Sequence, residues 1–194
     1  MISILSINRC MATEYIQKVL EATGGQERSV SWFRKKIKEF GEPSSAQLVR
    51  EGKRSPRPFF GRLNMFFYSP KYKEKLPYYD RFPLVLPLER YRGGFMGINM
   101  HYLPIPLRTS LLDKLYEFSS NDKFDSTTRL TATYNRVRNI DLVRPTLHRY
   151  LYNFVESPFR RIDADEFIVA TLLPVQRFKK ASDRKVWRDS RGMI

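Results

Sequence analysis

Twelve of the fifteen net positive charges on this 194-residue chain lie in two segments, residues 28–62 and 174–194. Residues 63–173, between them, hold sixteen basic and twelve acidic side chains, and residues 1–27 carry a net charge of −1. The partition points to a globular body with basic extensions rather than a uniformly basic surface. The body is rich in rings: the chain has 14 Phe, 11 Tyr and 2 Trp. That apolar area is enough to offset the entropy of ordering, so a disordered polycation is excluded. The length predicts one domain, or one domain with an appendage. Residues 1–60 read as a helical region ending in a basic linker, and residues 61–194 as an α+β body with a basic tail.

Hydrophobic spacing predicts short N-terminal helices over residues 11–22, 31–40 and 44–50. Residues 53–58 contain Pro56 and Pro58, which hold extended backbone, and read as an exposed linker. From Gly61 the period changes to that of strands. Residues 61–68, 82–88 and 95–103 are strand candidates, with Pro83 and Pro87 favouring an edge or bulged place. Gly93-Gly94 marks a hairpin turn. In the strand that follows, Met96, Ile98, Met100 and Tyr102 share one face, and Gly97, Asn99 and His101 share the other. Residues 61–104 are thus expected to form a small antiparallel sheet or a partly open barrel. After Pro106 the helical period returns in Leu107, Leu111, Leu112, Leu115 and Phe118, and helices are expected near 126–139 and 145–155. Asp163, Asp165 and Glu166 crowd the start of a further apolar run, as acids at a helix N-terminus do. The expected fold class is α+β, a small sheet flanked by helices from both ends.

The search for chemistry is nearly empty. Cys10 is the single cysteine, which excludes an intramolecular disulfide and a cysteine-rich zinc site. His101 and His148 are the only histidines, and neither has the neighbours of a nucleophile or a metal site. A hydrogen-bonded structural role is expected for both. Asp80, Glu89 and the Asp183-Arg184-Lys185 triplet are the residues a metal-dependent nuclease would recruit, but acid-x-Lys arises easily in so basic a chain. Gly24-Gly25 and Gly93-Gly94 lack the context of a phosphate loop. No catalytic residue, cofactor or metal is expected, and no small-molecule substrate. Residues 1–7 are apolar but short, with no basic residue ahead of them, and read as a poor signal peptide. No membrane partner is expected.

Binding is the better reading. Tyr72, Tyr78, Tyr79, Tyr91 and Tyr102 are interleaved with Lys71, Lys73, Lys75, Arg81, Arg90 and Arg92. Cations neutralise phosphates and rings stack on unpaired bases; the plainer alternative is half-buried sheet tyrosines with a solvated cationic rim. The residues expected to contact a partner or nucleic acid are Arg54, Arg57, Arg62, Lys179, Lys180 and Arg184, with Tyr78, Tyr79 and Trp187 as anchors.

Three stretches carry a resemblance: LPYYDRFPLVLPLE at 76–89, GGFMGINMHYLP at 93–104 and KVWRDSRGMI at 185–194. From about Gly61 to the C-terminus the chain resembles a virion-protein family of T-even-like, contractile-tailed bacteriophages. The resemblance implies a structural component of the particle, in the head–tail connector or the baseplate, and supplies no catalytic residues. The first expectation is therefore a virion protein docked in a ring-like assembly with other virion proteins. The second is a basic protein that coats or protects the ends of packaged phage DNA.

Overall fold

The computed structural model describes residues 53–117, 129–163 and 167–194. The helices expected over 11–22, 31–40 and 44–50 lie outside the described residues, and so does most of the basic segment 28–62.

The strands in chain order are β1 (Arg54–Ser55), β2 (Leu63–Met65), β3 (Tyr79–Asp80), β4 (Leu84–Tyr91), β5 (Gly94–Asn99), β6 (Leu147–Leu151), β7 (Phe159–Ile162) and β8 (Phe178–Lys179). Six of them form one sheet in the order β1-β7-β2-β4-β5-β6, every pair antiparallel. The other two, β3 and β8, form a separate ribbon. The helices are α1 (Ile105–Tyr116), α2 (Tyr134–Val137), α3 (Phe167–Leu172) and α4 (Asp183–Arg191). The fold is α+β, as expected, but the sheet is open and recruits strands from well beyond residues 61–104.

The hairpin expected at Gly93-Gly94 forms from β4 and β5, but the strand expected over 95–103 ends at Asn99, and Met100–Tyr102 turn into a 3-10 helix. Gly93 closes the hairpin turn with a φ of +81°, a left-handed value that costs glycine little. Pro87 lies in a central strand, which is tolerable because the register slips between Pro87 and Glu89. A bulge there removes the need for the N–H that proline lacks.

Residues 145–155, expected as a helix, form the end of a 3-10 turn, a strand and a second 3-10 turn instead. A 3-10 turn, Asp141–Thr146, contains Pro145 and runs into β6, whose register places Tyr150 opposite Phe95 and Leu147 opposite Ile98. The rings of Phe95 and Tyr150 stack at 5.2 Å and 22°, a cross-strand contact unavailable to a helix. Of the helix expected near 126–139, residues 126–128 lie outside the described residues, and the rest forms only the single turn of α2. The basic tail is ordered in part as α4, which Ser182 caps by accepting from the Lys185 N–H.

The sheet is covered on both faces, against the expectation of one apolar and one polar face. Leu63, Leu84, Leu86 and Ile98 pack on one side against Leu111, Leu112 and Leu115 of α1 and Phe167 of α3. The other side is an aromatic core of Phe66, Tyr68, Phe95, Tyr150 and Phe159 around Val85. Phe66 sits within 6.2 Å of the centroids of four of those rings. Each such pair adds about 0.5–1.5 kcal/mol beyond burial. A third, smaller cluster of Tyr102, Val186 and Trp187 docks α4 beside Tyr78 and Phe178.

Candidate nucleic-acid interface

Six of the nine expected contact residues gather at the ribbon and α4. Tyr79 pairs with Lys179 across the ribbon. Tyr78 is half-buried, its ring 6.0 Å from that of Tyr102, and burial and the charge of Asp189 raise its phenol above the ordinary value. Lys180 takes a left-handed φ of 68°. Its Nζ holds the loop before β3 by donating to the carbonyls of Lys73, Glu74 and Leu76 at 2.7, 2.9 and 3.4 Å. Arg184 is exposed. Trp187 is only 2% exposed, and its indole N–H donates to the His101 carbonyl at 3.0 Å. Its surface is spent inside the domain, where it anchors α4 rather than a partner. The clamped loop projects Tyr72, 58% exposed, with Lys71 Nζ at 5.1 Å and Lys75 Nζ at 5.9 Å from its ring centroid.

The other three lie near the β1 margin. Arg54 and Arg57 are exposed, whereas Arg62 is 7% exposed. Arg54 stands opposite Arg160 across β1 and β7. Burial and the Arg54 charge hold the Arg160 guanidinium below its ordinary value. Beside this margin a groove of about 470 Å³ is lined by Pro56, Arg57, Pro58, Arg90, Tyr91 and Tyr152. Arg90 lies over the ring of Phe60 at 4.7 Å and Arg149 over that of Tyr91 at 5.6 Å. Among the described residues, no carboxylate pairs with Arg57, Arg90 or Arg149. Tyr152 escaped the sequence because residues 145–155 read as a helix. The ring-rich Tyr150-Leu151-Tyr152 was the signal for a strand.

The residues a nuclease would recruit are engaged otherwise. Asp80 is 4% exposed and accepts from His101 Nδ1 at 2.7 Å, from the N–H groups of Phe82 and Arg177 at 3.0 and 3.1 Å, and from Asn99 Nδ2 at 3.4 Å. Burial alone would raise its carboxyl, but the His101 ring and the backbone donors hold it below the ordinary range. Burial, helped by the Arg108 charge, drives His101 the other way, below its ordinary value against the pull of Asp80. An ionised Asp80 can only accept, so a neutral His101 carries its proton on Nδ1. Glu89 is exposed and accepts from the Tyr134 N–H at 3.1 Å, while Asp183 opens α4 and accepts from Gln176. Among the described residues, no three His, Cys, Asp or Glu side chains gather as metal ligands would.

This buried chemistry has a pH signature. The His148 ring lies against that of Tyr102, centroids 4.0 Å apart and planes tilted by 39°, and burial pulls its imidazole from 6.5 down to about 4. The unfolded chain therefore takes up protons first as pH falls. Stability is full above about pH 6.5 and declines towards pH 4, His148 contributing up to about 3 kcal/mol of the loss. Asp80, whose folded value is depressed, adds a further loss only below about pH 4. Urea midpoints measured from pH 7.5 to 4.5 should show this limb; His101, also held below its ordinary value, contributes to it, so His148→Phe should make it shallower without abolishing it. An unchanged limb in that variant would exclude His148 as its source.

Among the described residues, no helix is long and apolar enough to cross a membrane. No curated protein and no solved structure matches the chain. The profile of one family, described as phage T4 terminal DNA protecting protein, matches residues 4–190. The match takes in residues 4–60, beyond the span of the resemblance drawn from sequence. Its description speaks of DNA protection and not of a structural part of the particle. With nearly the whole length matched, the chain belongs to the family of the phage T4 terminal DNA protecting protein.

Proposed function

We propose that this protein binds the ends of linear phage DNA and shields them by occupying them. The observation that carries the reading is the family match over residues 4–190. The geometry supports it. Exposed cations stand without carboxylate partners among the described residues at both the groove, Arg57 and Arg90, and the ribbon with its clamped loop, Lys179 and Lys71. Such groups release counterions when they meet phosphates. A place in the connector or the baseplate has no comparable support, so the end-protecting reading is preferred to the docked structural one. Protection here is steric, with no bond made or broken by the protein.

The test is competition between linear and closed circular duplexes of equal length, together with digestion of the linear form by an exonuclease. Linear DNA should compete better, and digestion should slow in proportion to occupancy. With six or more phosphate contacts, affinity should fall roughly a thousandfold between about 50 and 200 mM salt. Equal competition by circular DNA with undiminished digestion would overturn the reading.

A further inference from the structure

The groove beside β1 has a composition more specific than a phosphate-binding surface needs. Its lining joins two arginines, two tyrosines and two prolines, with no carboxylate. Arginines alone would suit any phosphate, whereas phenol rings beside them suit a phosphate that carries a flat base. A volume of about 470 Å³ is of the size that takes a small organic ligand.

The walls are held before any ligand arrives. On one side Pro56 and Pro58 restrict the backbone, and Ser55 Oγ accepts from the Arg57 N–H at 3.1 Å. The following turn is locked by Asn64, wholly buried, which accepts from the Phe59 N–H and donates to the Phe59 carbonyl, both at 2.9 Å. On the other side the Arg90 guanidinium rests on Phe60, Phe60 on Phe95 at 6.5 Å, and Phe95 on Tyr152 at 5.9 Å and 32°. A guanidinium stacked on a ring keeps its in-plane N–H groups for an anion. The Tyr152 N–H donates to Gly93 at 3.0 Å, and the Tyr91 hydroxyl donates to the Tyr150 carbonyl at 3.2 Å. Both tyrosines are thereby tied to the hairpin.

We infer that this groove receives an unpaired nucleotide at the end of a DNA strand. The base lies against Tyr152 and Tyr91, and the phosphate lies between Arg57 and Arg90. A base inside a duplex has both faces covered by its neighbours and cannot enter without being unstacked. A frayed or overhanging terminal base is free to enter, so the groove distinguishes an end from the middle of a duplex. The inference rests on the end-binding reading above and deepens it.

Two measurements on the full chain test it. The first compares a blunt duplex with the same duplex carrying a one-nucleotide 3′ or 5′ overhang. At least one overhang should bind about tenfold more tightly, the contribution of one stacked base. Tyr152→Leu should remove that preference, weakening overhang binding more than blunt binding, whereas Arg90→Gln should weaken both alike. The second follows backbone amide signals while the single-stranded tetranucleotide tetrathymidylate is added. Shifts centred on Arg57, Arg90, Tyr91 and Tyr152 support the groove as the site whatever the ends do. Shifts confined to other residues, or an overhang preference that survives in Tyr152→Leu, overturn it. If overhangs and blunt ends bind alike while linear DNA still outcompetes circular, the groove inference fails and end binding stands. If linear and circular DNA compete alike, the end-binding reading fails, and the amide shifts alone decide the groove.

Discussion

Replacing Arg108 with methionine is expected to cost about 4 kcal/mol or more, a large part of the 5–15 kcal/mol that holds a domain together. Arg108 is wholly buried in α1, and among the described residues no carboxylate pairs with it. Nε donates to the Leu103 carbonyl at 2.7 Å, and Nη2 to Gln176 Oε1 at 3.2 Å and the His101 carbonyl at 3.4 Å. Nη1 faces the carbonyls of Thr171 and Leu173, both at 3.5 Å. The guanidinium lies 5.7 Å from the Trp187 ring centroid. One side chain thus ties α1 to the segment after α3 and to the platform on which α4 rests. Burial pulls its guanidinium down to about 9, so it is charged at neutral pH, with Asp80 and Asp183 balancing it at longer range. Methionine would fill much of the space but leave several buried acceptors empty, each at about 1–3 kcal/mol. Lysine keeps the charge without the planar fork and should recover less than half of the loss. Urea midpoints at constant slope would measure both. A loss below about 1 kcal/mol would show that water satisfies those carbonyls instead. The folded fraction of either variant should bind DNA as before, because Arg108 is a basic residue that never meets solvent.

Replacing Gly94 with alanine should be as damaging, for a backbone reason. A Cβ at Gly94 would overlap the carbonyl oxygen of Tyr150 and stand 2.9 Å from the Tyr91 hydroxyl. Neither a carbonyl in a ladder nor a hydroxyl bonded to that carbonyl can move aside cheaply. β5 and β6 would have to part at Gly94–Leu151 and Phe95–Tyr150, and the aromatic core would open with them. A loss of about 3 kcal/mol or more is expected, with faster amide exchange along β6. The adjacent Gly93 supplies the control. Nothing lies within 4 Å of its added Cβ, so Gly93→Ala should cost only the left-handed backbone, about 1–2 kcal/mol. Similar losses at the two positions would refute the close approach of β5 and β6. Because Tyr91 and Tyr152 are tied to the same hairpin, Gly94→Ala should also weaken discrimination of DNA ends.

Legibility differed from element to element. Leu111, Leu112 and Leu115 recur at the helical period and line the buried face of α1. Residues 147–155 deceived because Leu147, Leu151, Phe154 and Val155 satisfy a helical spacing while Leu147, Arg149 and Leu151 also alternate with His148 and Tyr150. A run this short fits both periods, and the choice fell to its partner strand β5. The expected contacts split for a related reason. Charge is visible in sequence, but burial is not, so Arg62 and Trp187 looked like Arg57 and Tyr79.

By itself, the sequence determined what local chemistry can decide: the α+β class, the turn at Gly93, the bulge at Pro87 and the helix around Pro106; its resemblance reached a T4-like phage protein but not the DNA-protecting family. The tertiary structure alone decided that both faces of the sheet are covered, that β6 is a strand, and which arginines face water. Strand pairing and burial depend on residues far apart in the chain, such as Phe95 with Tyr150 or Arg108 with Gln176. Their energies appear only once those segments meet, and no local period records them.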